Sequence, residues 1–125
     1  MSSTHKQHNP GFLKLVDDSK SRVKQIDIAG YRELPKNHVL VDVREDNEWQ
    51  AGHAQGAIHL SRGILERDVE TAIPDKATTV VLYCGGGFRS ALAADSLQQM
   101  GYTNVISLDG GWRAWNEAAL PVTKP

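Results

Sequence analysis

The chain has 125 residues, with 14 basic and 15 acidic side chains, five histidines and a single cysteine. That length makes one ordinary domain, able to bury about two thirds of its unfolded surface, and the balanced charge leaves no basic footprint for nucleic acid or an anionic membrane. One cysteine allows neither an internal disulfide nor a four-thiolate metal site, and no stretch has the apolar length of a leader or a membrane span, so the expectation is a soluble, unprocessed protein of the reducing cytoplasm.

Residues 1–10 are polar and read as a flexible N-terminal tail, leaving 11–125 as a single domain; His5 and His8 are too sparse for a metal tract. Phe12, Leu13, Leu15, Val16 and Val23, mixed with charge, predict a short amphipathic helix, followed by a short strand around Lys24 to Ile26. Val39-Leu40-Val41-Asp42-Val43 is a continuous apolar run of the kind found in a parallel strand covered on both faces, with Asp42 as its odd member. Asp46 and Glu48 open a helix that ends near Gly52, and Ala57-Ile58-His59-Leu60 reads as another short strand. Thr78 to Tyr83 gives the clearest strand signal. The helix after it carries Ala93, Leu97 and Met100 on one face and stops at Gly101. Asn104 to Leu108 repeats the strand signal, and a helix from about Trp112 to Ala119 closes the chain before Pro121. Strands alternating with short helices imply an α/β fold with right-handed crossovers and a parallel sheet covered by helices on both faces.

Sheets of that kind bind ligands at the carboxyl ends of their strands. The cysteine stands at such an end, in Tyr83-Cys84-Gly85-Gly86-Gly87-Phe88-Arg89-Ser90. A free cysteine has a pKa of about 8.5 and needs help to act as a nucleophile. Three sources of help are written here: a helix N-terminus near Phe88, loop amides free to turn inward, and the cation of Arg89. Glycines at 85, 86 and 87 allow backbone angles that a Cβ resists, and each costs about 0.5–1 kcal/mol against alanine in regular structure, which a simple turn would not spend three times.

Plainer readings compete. A lone cysteine at a strand end is in most chains a small buried hydrophobe, and Arg89 is what weighs against that here. A nucleotide phosphate loop would need a Gly-Lys-Ser/Thr ending, which is absent. Glu45 and Glu48 fit a solvated first helical turn better than a catalytic carboxylate pair, and His53 and His59 have no third ligand nearby in sequence, so no metal is expected. Trp112 and Trp115 read as packing of the last helix, and Ser90 as a helix-start hydroxyl without a recognisable base.

Val41-Asp42-Val43-Arg44-Glu45, Glu48-Trp49, Gly52-His53-Ala54-Gln55-Gly56-Ala57-Ile58, Cys84 to Ser90, and Leu108-Asp109-Gly110-Gly111-Trp112 follow one another in order. Together they resemble the signatures of the single-domain rhodaneses over about residues 22 to 119. The resemblance implies a rhodanese-like three-layer fold with a central, mostly parallel sheet of about five strands, and an active-site cysteine, Cys84, in a loop at its carboxyl edge. It also places Asp42 and Arg44 at a neighbouring strand end as supporting residues.

Loop length separates the relatives. Tyrosine and dual-specificity phosphatases, and the cell-cycle phosphatases that share the rhodanese fold, put five residues between cysteine and arginine; here four separate Cys84 from Arg89. One residue fewer removes about 3.3–3.6 Å of chain, which suits a sulfur carried on the cysteine better than a phosphoryl group. The resemblance thus implies a thiosulfate sulfurtransferase without cofactor, whose Cys84 persulfide passes to a thiophilic acceptor such as cyanide, a thiol or a protein. Gly85, Gly86, Gly87, Phe88, Arg89 and Ser90 then form the loop that binds substrate and stabilises the persulfide. In that reading Arg89 steers the anionic donor, and Phe88 either shapes the pocket or simply packs in the core. A phosphatase and a noncatalytic binding module are the alternatives.

Overall fold

The computed structural model describes residues 8–124. Its elements are α1 (Pro10–Lys20), β1 (Lys24–Ile26), α2 (Ile28–Arg32), β2 (Val39–Asp42), α3 (Asp46–Ala51), β3 (His53–Ala54), β4 (Ile58–His59), α4 (Leu65–Ala72), β5 (Val80–Tyr83), α5 (Phe88–Gln99), β6 (Val105–Leu108), α6 (Gly111–Glu117) and β7 (Val122–Thr123). Most of the expected tail lies outside the described residues. His8 and Asn9 lead into α1, whose first residue is Pro10, where a missing N–H costs nothing.

The apolar runs at Val39, Val80 and Val105 become the middle of one parallel sheet, ordered β1-β6-β5-β2-β4. Strand β5 lies between β6 and β2 and is fully buried, as an uninterrupted Val-Val-Leu-Tyr requires. The period of two divides its side chains. Val80, Leu82 and Cys84 face α1, α4 and α5, while Val81 and Tyr83 face α2 and α6. Helices α2 and α4 were not anticipated, nor was the antiparallel pair β3-β7, which joins His53 to Thr123. Leu65, Val69 and Ile73 do carry a helical repeat that marks α4, and all three are buried. No described helix is long and apolar enough to cross a membrane.

Register explains the odd Asp42. It pairs directly with Tyr83 across β2 and β5, so both point to the same side. The Tyr83 hydroxyl donates to Asp42 Oδ2 at 2.6 Å and accepts from the Ala54 N–H at 3.0 Å. Arg44 completes the group, with Nε at 3.1 Å from both Asp42 oxygens, Nη2 at 2.8 Å from Oδ2, and a further bond from Nη2 to the Gly52 carbonyl at 2.7 Å. Burial, reinforced by the Asp42 carboxylate, pushes the Tyr83 hydroxyl well above its ordinary pKa.

Two further ties fix what surrounds the end of β5. On one face, α6 is stitched to the chain after Tyr83: the Trp112 N–H donates to the Cys84 carbonyl at 2.7 Å and the Arg113 N–H to that of Gly85 at 3.1 Å. Gly111, at φ +48°, makes this approach possible, since a Cβ there would overlap the Cys84 carbonyl oxygen. On the other face, Asp95 of α5 holds the C-terminal end of α1, accepting from Ser19 Oγ at 3.1 Å and from Arg22 Nη2 at 2.6 Å. Hydrogen bonding by Arg22 outweighs burial and holds the Asp95 carboxyl below the usual carboxylate range.

Two stability measurements check these ties. Gly111→Ala should lose about 1–3 kcal/mol in urea unfolding, whereas Gly86→Ala, where an added Cβ meets nothing within 4 Å, should stay within about 0.5 kcal/mol of the parent. A depressed carboxyl stabilises the fold at pH above its unfolded value and loses that contribution as pH falls through its folded value. The parent should therefore weaken as pH drops below about 4, and Asp95→Asn should show a shallower acid decline from a lower plateau.

Candidate active site

Cys84 follows the last residue of the central strand, and the residue is only 1% exposed. Its sulfur receives two backbone donors, the N–H of Gly87 at 3.1 Å and that of Ser90 at 3.3 Å. Both come from the start of α5, whose first turn holds no acidic residue. A hydrogen bond to a charged acceptor is worth about 1.5–3 kcal/mol, against about 0.3–1 kcal/mol for a helix dipole. These two amides therefore offer an acceptor at this position a stronger interaction than the helix dipole does. Behind them the Cys84 thiol reaches Ser90 Oγ at 3.5 Å, and that hydroxyl pairs with Ser107 Oγ of β6 at 2.8 Å.

The three loop glycines are not equivalent, contrary to the sequence argument. Only Gly87 takes a left-handed conformation, at φ +99°, and a Cβ there would sit 3.1 Å from the Gly110 nitrogen. One such residue is enough to turn the chain from strand end into helix. Gly85 and Gly86 have ordinary backbone angles, with at most a 3.6 Å contact to Arg89 for an added Cβ. What their lack of side chains provides is an open floor over the sulfur.

A cleft of about 760 Å³ opens there, lined by His8, Phe12, Glu45, Asn47, Glu48, Cys84, Gly85, Gly86, Phe88, Arg89 and Arg113. Phe88 does both things asked of it, packing against the core and forming part of the cleft wall. Arg89 is one third exposed, and its Nη1 lies 3.5 Å from Glu48 Oε1 and 3.8 Å from Glu45 Oε2. Its charge is thus partly compensated at the cleft mouth. The same two carboxylates cap α3, where Glu48 Oε1 accepts from the Glu45 N–H at 2.9 Å, so the helical-turn reading of Glu45 and Glu48 holds and omits their second contact.

Asp42 and Arg44 do not line the cleft. They support the strand ends from the opposite side of the sheet, with the Arg44 guanidinium 4.4 Å from the Trp112 ring centroid. Trp115 is buried against that face, as expected of a packing residue. His53 and His59 flank Trp49 as stacked rings, at 3.4 Å and 4.8 Å between centroids. Among the described residues no three His, Cys, Asp or Glu side chains converge as metal ligands. Ser107 and Arg113 carry no assignment in the sequence pattern, and His8 reads there only as part of the tail. Ser107 carried a visible signal, a polar residue inside an apolar strand; the other two depend on how α6 and α1 dock.

Residues 29–118 match the family model described as a rhodanese-like domain. The chain is 40% identical over 84 residues to thiosulfate sulfurtransferase PspE of Escherichia coli, an alignment spanning 67% of this chain and 77% of that protein. It is 37% identical over 83 residues to thiosulfate sulfurtransferase GlpE of Vibrio cholerae, spanning 66% and 76%. Among solved structures, the polysulfide-sulfur transferase homodimer of Wolinella succinogenes superposes with a TM-score of 0.78 at 27% identity, over 92% of this chain and 88% of that one. A Rhodopseudomonas palustris protein of unknown function, described as a possible tyrosine phosphatase, gives 0.80 at 28% identity, over 95% and 98%. An Escherichia coli rhodanese with anions gives 0.62 at 35% identity, over 70% and 99%. With the family match covering most of the chain and the five-stranded parallel sheet presenting Cys84 at its carboxyl edge, the chain belongs to the rhodanese-like domain family.

Proposed function

We propose that this chain is a sulfurtransferase that carries sulfane sulfur on Cys84. The observation that carries the reading is the Cys84 sulfur held by the amides of Gly87 and Ser90 beneath an open cleft. In the first step Cys84 Sγ attacks the outer sulfur of thiosulfate or a related donor. The new sulfur–sulfur bond forms as the bond to sulfite breaks, and its electron pair leaves with sulfite. In the second step cyanide, or the thiolate that a small thiol or a protein cysteine forms on losing its proton to solvent, attacks the outer persulfide sulfur, and the electron pair of the broken bond returns to Sγ. No external oxidant or cofactor is required.

The amides act in both steps because negative charge resides on or beside Sγ throughout, and donors fixed in advance need no reorganisation. The remaining loop residues frame the space above the sulfur, and Arg89, tempered by Glu45 and Glu48, draws in an anionic donor. Four residues between Cys84 and Arg89 favour a cradle for sulfur over one for a phosphoryl group. The single thiol supports work in a reducing compartment such as the cytoplasm, with the sulfur leaving to an external acceptor because no second cysteine can resolve the persulfide.

Fully reduced protein mixed with thiosulfate should gain the mass of one sulfur atom, localised to Cys84, and cyanide should remove it as thiocyanate. Cys84→Ser should gain nothing. Absence of the adduct in the parent overturns the proposal, and turnover of an aryl phosphate that vanishes in Cys84→Ser would favour phosphoryl transfer instead. Because an exposed, partly paired cation is worth little, Arg89→Ala should slow sulfite release from thiosulfate only about twofold to fivefold, by an amount that shrinks with added salt; an unchanged rate in a folded variant removes the steering role.

A further inference from the structure

The cleft is larger and less polar than an inorganic sulfur donor requires. Its volume of about 760 Å³ falls in the range of pockets that enclose organic molecules of about 300–1,000 Å³. Its charged residues, Glu45 and Glu48 with Arg89 and Arg113, comprise two of each sign and select no net charge. Beside them the lining carries three aromatic rings. The His8 ring lies 4.6 Å from that of Phe88 and 5.2 Å from that of Phe12, and Phe12 and Phe88 are 6.2 Å apart. Lys20 Nζ sits 5.0 Å from the Phe88 ring centroid.

Two of these three rings come from outside the stretch that matches the family, since His8 and Phe12 precede residue 29. They are brought to Cys84 by α1, which Asp95 fastens to α5 through Ser19 and Arg22. We infer that His8, Phe12 and Phe88 form a specificity wall for the sulfur acceptor, and that the acceptor is an uncharged organic thiol with an apolar or aromatic body. The inference rests on the sulfur-transfer reading above. The acceptor reacts as its thiolate, its proton having passed to solvent; as that sulfur bonds the outer persulfide sulfur and the bond to Cys84 Sγ breaks with its electron pair left on Sγ, the acceptor's apolar body lies against these rings and leaves water, which lowers the barrier for such thiols over hydrophilic ones.

The test compares benzyl mercaptan with 2-mercaptoethanol, alkyl thiols of similar acidity, as acceptors of sulfur from thiosulfate, with sulfite release reporting turnover. The parent should favour benzyl mercaptan in kcat/KM by about tenfold, the scale set by one ring face leaving water. His8→Ala, at an exposed position, and the conservative Phe12→Leu should each reduce that preference severalfold. A parent that acquires the Cys84 sulfur yet shows a ratio near one overturns this inference alone, as does a preference unchanged in both variants. Failure of Cys84 to take up sulfur from thiosulfate overturns this inference and the sulfur-transfer reading together.

Discussion

The parallel register of β2 against β5 is the constraint on which the rest of the molecule depends. It sets Asp42 beside Tyr83, and the strand period then obliges the next residue, Cys84, to face the other side of the sheet. A buried carboxylate is tolerated only when its oxygens are fully engaged. Arg44 and the Tyr83 hydroxyl engage them here, and Arg44 and Tyr83 in turn bind the Gly52 carbonyl and the Ala54 N–H. A slip of one residue in β2 would leave the carboxylate among the aliphatic side chains facing α5, and a slip of one residue in β5 would instead carry the thiol to the opposite face. The polar cluster on one side of the sheet thus fixes the position of the sulfur on the other.

Around that fixed point the two helices with the closest approach have different tasks. Helix α5 brings amide donors to the sulfur, and α6 takes hold of the carbonyls of Cys84 and Gly85. The peptide groups flanking the cysteine are therefore held from below while its side chain is addressed from above. Electrostatics at the cleft mouth is more balanced than a loop ending in arginine suggests. Glu45 and Glu48 cap one helix and temper the Arg89 cation with the same carboxylates, so short-range donation at the sulfur outweighs long-range attraction at the rim.

The sheet and its sequence signature were readable because buried parallel strands are continuous apolar runs, and a polar intruder such as Asp42 stands out within one. Cys84 was readable for a related reason, lying where the run gives way to glycines. Ser107 stood out equally in Val105-Ile106-Ser107-Leu108 and went unread, since its meaning comes from Ser90 on another element. Glu45 and Glu48 could be recognised as a first helical turn, but not as partners of Arg89, because that contact exists only where α3 and α5 begin at the same edge of the sheet. His8 looked like part of a tail. Its placement at the cleft follows from a clamp between Arg22 and Asp95, residues 73 positions apart, which no local pattern encodes.

The hydroxyl pair behind the sulfur has a consequence of its own. Backbone amides point one way, but hydroxyl hydrogens rotate, and either Ser90 or Ser107 can be the donor in their mutual bond. While Cys84 is a thiol, its hydrogen points at Ser90 Oγ. Once the sulfur is anionic, Ser90 can turn its own hydrogen toward it and accept one from Ser107. Reversing the polarity of this two-hydroxyl relay lets the pocket suit both charge states of the sulfur with the positions of its heavy atoms unchanged.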